Sequence, residues 1–251
     1  MPNSIKDYRQ MMEKPWGKMF YDMLFLQLDT FCNADSFLNK HPLNILDFGA
    51  GFCVTASHYA THHHVTAIEP SEEMLAFQLP GNKNYDCIPG GMEKLSEYKD
   101  NTFDLVLCHN VLEYVADRDQ VLQELTRVLK KDGTLSIVKH NLTGRIIASA
   151  VFSDDPGAAL DLLGSGDSEA NMFGRRDTYP NDFLTELGGR LGLTLKDWFG
   201  LRTFFALSSN NEVKFSDKWY ENMLTLEMKT CQLDEYRNIS FFHHLLFRKT
   251  K

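Results

Sequence analysis

The sequence predicts an α/β fold in which a mostly parallel sheet of seven strands carries helices on both faces and helical lid insertions. Three observations lead to this prediction. Seven short apolar runs have the composition of strands, helical spacing separates several of the early ones, and a glycine pair directly follows the first run. Strands that alternate with helices at this spacing form parallel sheets with right-handed crossovers.

The strands and helices can be placed in order along the chain. The predicted strands cover residues 43–48, 64–68, 85–88, 103–109, 134–140, 194–198 and 240–247. Residues 103–109 (FDLVLCH) form a continuous apolar run, as expected for a strand buried on both faces of a parallel sheet. Ser71 precedes helical spacing and is a typical N-cap.

One later helix is strongly amphipathic. Residues 120–129 place their apolar side chains on one stripe, and we expect Lys130 and Lys131 in the last turn of this helix, before Gly133.

We expect one domain over residues 1–251, with a helical N-terminal cap at 1–40 and a cofactor-binding core at 41–141. The regular alternation stops after Asn141. Residues 142–180 and 208–236 are therefore predicted to be insertions that form a lid over the substrate. In the second insertion, Trp219, Met223, Leu226 and Leu233 have the spacing of one helical face.

Composition limits the classes of function. The formal net charge of -8 and the pI of about 5.6 argue against broad binding of polyanions. We see no secretory signal and no apolar run long enough for a bilayer, so we expect a cytoplasmic protein without a membrane partner. The five cysteines include no CxxC pair, and we predict no metal site.

The sequence ILDFGAG contains the strongest local signal. Asp47, Gly49 and Gly51 stand where the first strand turns into its helix, and glycine allows the backbone to approach a ligand closely there. Dinucleotide-binding Rossmann folds have a third glycine in this turn. Phe52 and Cys53 follow here instead, which counts against a nicotinamide dehydrogenase.

Glu69 and Pro70 end the second strand, 18 residues beyond Gly51. A carboxylate at this place can accept both hydroxyls of a ribose, and we therefore predict a nucleoside-binding, Rossmann-like site. The alternative is that Glu69 is simply an acid at the start of a helix.

Two further segments follow later strands. Met92 could cover an adenine ring and Glu93 could bond its amino group, although either could equally begin a helix. His109 lies at the carboxyl end of the fourth strand, where it could act as a base or shape the pocket.

The strings ILDFGAG, AIEP, FDLVLCHNVLEYV and LKKDGTLSIV resemble the class I S-adenosylmethionine-dependent methyltransferases over residues 43–140. The resemblance implies S-adenosyl-L-methionine as the cofactor. It also implies a site lined by Asp47, Gly49, Gly51, Glu69, Pro70, Met92, Glu93 and His109, with Trp16 in the segment that closes over the cofactor.

A narrower resemblance lies largely outside that core. VLEYVAD, HNLTG, TYP, GLR and LEMKTC, together with His244, are similar to the family of bacterial tRNA 5-carboxymethoxyuridine methyltransferases. That family esterifies the carboxylate of a modified wobble uridine. A carboxylate acceptor requires a cation, and Arg202 is the candidate, with Tyr179 and His244 as secondary candidates for the catalytic pocket.

Three functions remain open from the sequence. The first is methyl transfer to a modified nucleoside in the anticodon loop of tRNA. The second is methyl transfer to a small molecule, such as a carboxylic acid, which the acidic net charge favours. The third is a non-catalytic nucleoside-binding protein on the same fold. A homodimer is possible in each case.

Overall fold

The computed structural model describes residues 4–31, 41–79, 81, 83–165, 170–171 and 174–251. Its strands are β1 (Asn44–Phe48), β2 (His64–Glu69), β3 (Asp86–Pro89), β4 (Phe103–His109), β5 (Leu129–His140), β6 (Ala170–Asn171), β7 (Gly174–Arg175), β8 (Leu193–Leu201) and β9 (Phe242–Lys249). The α-helices are α1 (Ile5–Met12), α2 (Pro15–Phe31), α3 (Val54–Tyr59), α4 (Glu72–Ala76), α5 (Arg118–Val128), α6 (Leu142–Val151), α7 (Pro156–Ser165), α8 (Asn181–Arg190), α9 (Phe204–Leu207), α10 (Asp217–Thr230) and α11 (Asp234–Arg237).

Seven strands form the main sheet in the order β3-β2-β1-β4-β5-β9-β8. Strands β1 to β5 are mutually parallel, whereas β9 runs antiparallel to both of its neighbours, β5 and β8. The predicted seven-stranded, mostly parallel sheet is therefore confirmed. From β1 the chain builds outward to β2 on one side and to β4 on the other, which leaves a crevice at their carboxyl ends.

The core lies on both faces of the sheet. Helix α2 buries Met19, Met23 and Leu24 on one face, and α5 buries Leu122 and Leu125 on the other. Each such side chain contributes about 1.5–3 kcal/mol when it leaves water.

The end of helix α5 differs from our prediction. The helix begins after Asp117, whose side chain accepts from the Gln120 N–H at 2.9 Å, and it ends at Val128. Lys130 and Lys131 therefore belong to β5, where Lys130 pairs with Asp104 at 2.9 Å. The strand begins early because Leu129 already pairs with Phe103 of β4.

The two segments that interrupt the alternation are helical. Residues 142–180 contain α6, α7 and the antiparallel strands β6 and β7, and residues 208–236 contain a 3₁₀ helix (Val213–Phe215), α10 and α11. No helix in these or the other described ranges combines the length and apolar composition needed to cross a bilayer.

The buried face of α10 differs from the predicted stripe. Trp219 and Met223 pack against the core, but Leu226 and Leu233 are 42% and 48% exposed. Glu227 is buried instead, because its carboxylate accepts hydrogen bonds from the backbone that follows β8. A satisfied buried acid thus takes the place that an apolar residue was expected to hold.

Candidate functional site

The glycine turn joins β1 to α3 at the crevice. Gly49 and Gly51 have φ angles of 75° and 56°, the left-handed region that favours glycine. The backbone N–H groups of Gly49 and Ala50 both donate to the Ile68 carbonyl of β2, at 2.8 and 3.0 Å. A Cβ on Gly49 would lie 2.2 Å from the Val111 side chain, so this position admits glycine alone.

Two carboxylates flank the turn. Glu69 accepts from the Gly51 and Ser71 N–H groups, each at 2.8 Å, and burial raises its pKa while these two bonds lower it. Asp47 accepts from the Ala56 N–H at 3.1 Å, and burial raises its pKa to about 7. Each Glu69 oxygen keeps a lone pair for a further donor, such as a ribose hydroxyl.

A cavity of about 370 Å³ adjoins the turn. Its lining is largely apolar and consists of Phe48, Gly49, Pro70, Gly91, Met92, Val111, Val115, Ala116, Asp117, Gln120 and Val121. This apolar slot, whose lining residue Pro70 directly follows the acceptor-only carboxylate of Glu69, fits the ring and sugar of a nucleoside, so the residues present suit the adenosine part of S-adenosylmethionine. Gly49, Pro70 and Met92, three of the predicted cofactor-binding residues, line this cavity.

Glu93 lies differently from its expected role. It is exposed, and its carboxylate accepts from the Gly91 N–H at 2.8 Å, which lowers its pKa. To bond an adenine amino group, this side chain would have to share or release that contact.

Phe52 and Cys53, the departures from the glycine pattern, have structural roles. Phe52 is 3% exposed and packs with Ile5 and Met74, and its ring lies 5.5 Å from that of Tyr8 in α1. Phe52 therefore attaches the N-terminal helix to the turn. Cys53 precedes α3 with a φ of 58°, a conformation that a third glycine would adopt with less strain.

His109 ends a buried chain of hydrogen bonds. Its Nε2 lies 2.8 Å from Ser136 Oγ, which lies 2.8 Å from His244 Nε2, and His244 Nδ1 lies 2.9 Å from Gln27 Oε1. Gln27 donates from Nε2 to the Gly200 carbonyl at 3.0 Å, so its oxygen must accept from His244. The order of donors then places a proton on His109 Nε2 and a bare lone pair on Nδ1, which is buried without a partner.

Burial lowers the pKa of His109 to about 3 and that of His244 well below its usual range. Both rings are therefore neutral near pH 7. His244 is completely buried with both nitrogens bonded inside the protein, so any effect on a substrate would pass through His109.

Arg202 follows β8 with a φ of 60°. Its guanidinium carbon lies 5.5–5.6 Å from the ring centroids of Phe205, Phe241 and Phe242. Its Nε is buried without a hydrogen bond, and burial lowers its pKa to about 10, opposed by Glu227. A half-buried, delocalised cation with an unused donor is suited to an incoming carboxylate.

Tyr179 and Trp16 pack against different core clusters. The buried Tyr179 packs against Phe183, with Arg118 and Lys139 over its ring at 4.8 and 5.0 Å, and its hydroxyl has no partner. The ring centroids of Trp16 and Phe205 are 6.5 Å apart, and Arg202 lies over the same Phe205 ring. Trp16 is therefore near Arg202 and does not line the apolar slot.

Sequence reasoning missed two residues near Arg202. Lys214 is 1% exposed and Glu227 is 1% exposed, although both types are normally on the surface. The LEMKTC string contained Glu227, but nothing in the spacing around Lys214 signalled its burial.

Comparisons with known proteins agree with this geometry. A family model described as a methyltransferase domain matches residues 46–137. The tRNA 5-carboxymethoxyuridine methyltransferase of Escherichia coli (strain K12) is 28% identical over 226 residues, which cover 84% of this chain and 82% of that protein. Ajmaline N-methyltransferase of Rauvolfia serpentina is 28% identical over 108 residues, covering 40% and 37%.

A solved structure supports the fold. The plantazolicin methyltransferase BamL, in complex with a triazolic desmethylPZN analog and SAH, has a TM-score of 0.62 at 13% identity, covering 98% of this chain and 90% of that one.

The fold, the site and these matches define the chain as an S-adenosylmethionine-dependent methyltransferase, with S-adenosylmethionine as its cofactor. Over most of its length it is similar to the bacterial tRNA 5-carboxymethoxyuridine methyltransferase. The chain is therefore an enzyme, and the hypothesis of a non-catalytic nucleoside-binding protein, which the sequence left open, is rejected.

Proposed function

We propose that the chain transfers a methyl group to the carboxylate of a modified wobble uridine in tRNA. The observation that carries this proposal is the half-buried Arg202 guanidinium, whose Nε is buried and which makes no hydrogen bond or ion pair within the described residues. The similarity to the tRNA enzyme supports it, because that similarity covers 84% of the chain and so extends well beyond residues 46–137.

The chemistry asks little of the protein in proton transfer. S-adenosylmethionine, when bound, supplies an activated methyl group on a sulfonium. A carboxylate is already deprotonated at neutral pH, and the neutral His109 is not needed as a base. The task of Arg202 is to bind and orient the acid, and a guanidinium does so in bidentate geometry.

We assign the cofactor-binding role to the turn and its flanking acids. Asp47, Gly49, Gly51, Glu69 and Pro70 would hold the cofactor, with Glu69 accepting the ribose hydroxyls. Met92, Glu93, His109 and Trp16 are proposed with them, and Tyr179 and His244 as supports of the acceptor site. Residues 142–180 and 208–236 would cover the acceptor, and a homodimer remains a prediction that sedimentation of the purified chain would test.

A small carboxylic acid is the second candidate acceptor. The net charge of -8 favours it, because a tRNA would meet repulsion except at a local basic rim. Other relatives are named for small-molecule substrates.

The two candidates are separated by labelling. Purified protein is given methyl-labelled S-adenosylmethionine with bulk tRNA from cells that lack this gene and, separately, with their metabolite extract. We expect label in tRNA that mild alkali releases, as it does for an ester. Label confined to the extract would reject the tRNA proposal, and alkali-stable label would reject a carboxylate acceptor.

A further inference from the structure

The Lys214 ammonium is buried among aromatic rings. Its Nζ lies 5.2 Å from the ring centroid of Trp16, 5.0 Å from that of Phe152 and 4.6 Å from that of Phe205. In the described part of the chain, its one hydrogen bond goes to Asn211 Oδ1 at 3.1 Å, and no carboxylate lies within ion-pair distance. A lysine is rarely buried in this way without a counter-ion.

Arg202 shares this environment. Its guanidinium lies over the same Phe205 ring that Lys214 contacts, at 5.5 Å. We call the cluster of Arg202, Lys214, Trp16, Phe152 and Phe205 the cation chamber. Two like charges beside one aromatic ring repel each other, and an anion bound between them offsets this repulsion.

The nearby acid does not neutralise both cations. Glu227 accepts from the Thr203 N–H at 2.9 Å and from the Phe205 N–H at 2.8 Å, one bond to each carboxylate oxygen. These bonds fix the backbone around Arg202. With both cations protonated and Glu227 ionised, the chamber and this acid together carry one positive charge in excess.

The chamber is assembled from four separate segments, one of which carries both Arg202 and Phe205. Trp16 comes from α2, Phe152 directly follows α6 in the first insertion, and Lys214 belongs to the 3₁₀ helix of the second insertion. The N-terminal cap and both insertions therefore meet at one ammonium group.

We propose that Lys214 is the second cation for the acceptor, so that the cation chamber is a two-cation site for a carboxylate attached to a planar group. This inference rests on the proposed function and adds a specificity-determining residue to it. Arg202 and Lys214 each donate to the carboxylate, and the aromatic walls contact the planar group. The methyl ester has no charge, so the chamber distinguishes substrate from product and favours release of the ester.

The test compares three variants. Lys214→Met removes the charge at similar volume, Lys214→Arg keeps it, and Lys218→Met removes an exposed lysine of α10 as the matched control. The probes are the nucleosides 5-carboxymethoxyuridine and its methyl ester, with binding measured by calorimetry in the presence of S-adenosylhomocysteine. Affinity for S-adenosylhomocysteine itself and thermal unfolding are measured on each variant.

We expect Lys214→Met to bind the acid about ten- to a hundredfold more weakly, the range for a lost hydrogen bond between charged groups. Lys214→Arg and Lys218→Met should bind it within about threefold of the unmodified chain, and all should bind S-adenosylhomocysteine normally. Lys214→Met should fold, because methionine replaces a cation that lacks a carboxylate partner.

Three outcomes contradict the inference, and they can be told apart. Unchanged acid binding by Lys214→Met would remove Lys214 from the site while leaving the proposed function intact. Equal binding of acid and ester by the unmodified chain would reject the discrimination by charge. No methylation of any carboxylate by the unmodified chain, in tRNA or extract, would reject the proposed function itself.

Discussion

Arg202 adopts a left-handed backbone conformation, with a φ of 60°, that costs a residue with a side chain about 1–2 kcal/mol. Such strain persists where the surrounding structure enforces it, often at functional sites. Here Glu227 accepts from the Thr203 and Phe205 N–H groups and so fixes the backbone directly after Arg202. These two hydrogen bonds enforce the left-handed conformation of Arg202.

Replacing Arg202 separates strain from function. We expect Arg202→Ala and Arg202→Gly each to lower kcat/KM for the acceptor about a hundredfold or more, because the ion pair between the guanidinium and the acceptor carboxylate is lost. S-adenosylhomocysteine should still bind to both variants. Arg202→Gly should be more stable than Arg202→Ala by about 1 kcal/mol, since glycine accepts the left-handed conformation. Methylation assays and urea unfolding measure the two effects. Unimpaired activity in either variant would show that the arginine is structural.

At this scale, the sequence predicted residues whose signal is local. Gly49, Gly51 and Glu69 were identifiable because the turn and the acid lie at the ends of consecutive strands; in the structure the Gly51 N–H donates to Glu69, and Gly49 lines the cavity. Lys214 was not identifiable, because its burial depends on Trp16 and Phe152, which lie far away in sequence.

At the scale of elements, one line of hydrogen bonds connects four of them. Gln27 of α2, His244 of β9, Ser136 of β5 and His109 of β4 are joined side chain to side chain across one face of the sheet. This line of hydrogen bonds determines which nitrogen of His109 carries the proton. Gln27 is therefore a positioning residue for the carboxyl end of β4.

Gln27→Leu tests this connection. The change leaves the Gly200 carbonyl and His244 Nδ1–H unpaired, and we expect a loss of about 1–3 kcal/mol in the free energy of unfolding. Long-range ¹H–¹⁵N spectra should show His109 as the Nε2–H tautomer in the unmodified chain and a mixture of tautomers in Gln27→Leu. Gln10→Leu, at an exposed position in α1, is the control and should change neither property. An Nδ1–H tautomer in the unmodified chain would refute the assigned order of donors.

At the scale of the whole molecule, buried histidines link stability to pH. The depressed pKa of His109, about 3, keeps it neutral in the folded state, whereas an unfolded histidine takes up a proton near pH 6.5. The contribution of His109 to the free energy of unfolding is therefore present above pH 6.5 and is lost as the pH falls from 6.5 toward 3. Asp47 opposes this loss of stability at low pH. Its pKa of about 7 means that, as the pH falls, the folded state binds a proton at a higher pH than the unfolded state does.

His109→Asn isolates one of these contributions. Between pH 6.5 and 5, we expect the unfolding free energy of this variant to fall less steeply than that of the unmodified chain, by about 1.4 kcal/mol per pH unit. Urea titrations at three pH values give both slopes. Identical slopes would mean that His109 titrates normally in the folded chain.

The architecture was largely predictable, because alternating strands and helices restrict the topology to a few arrangements. The direction and place of β9 were not. Its apolar run is compatible with either orientation, and only pairing with β5 and β8 determines that it runs antiparallel between them.

That position of β9 has a consequence for synthesis on the ribosome. Strand β8 is made earlier, yet among the described residues its one neighbour in the sheet is β9. Until β9 has emerged, Phe199 and Leu201 of β8 have no strand beside them, although both are fully buried in the finished protein. The nascent chain thus carries uncovered apolar surface during this interval, which is the state that molecular chaperones bind. Completion of the sheet therefore waits for β9, which inserts between two strands already made.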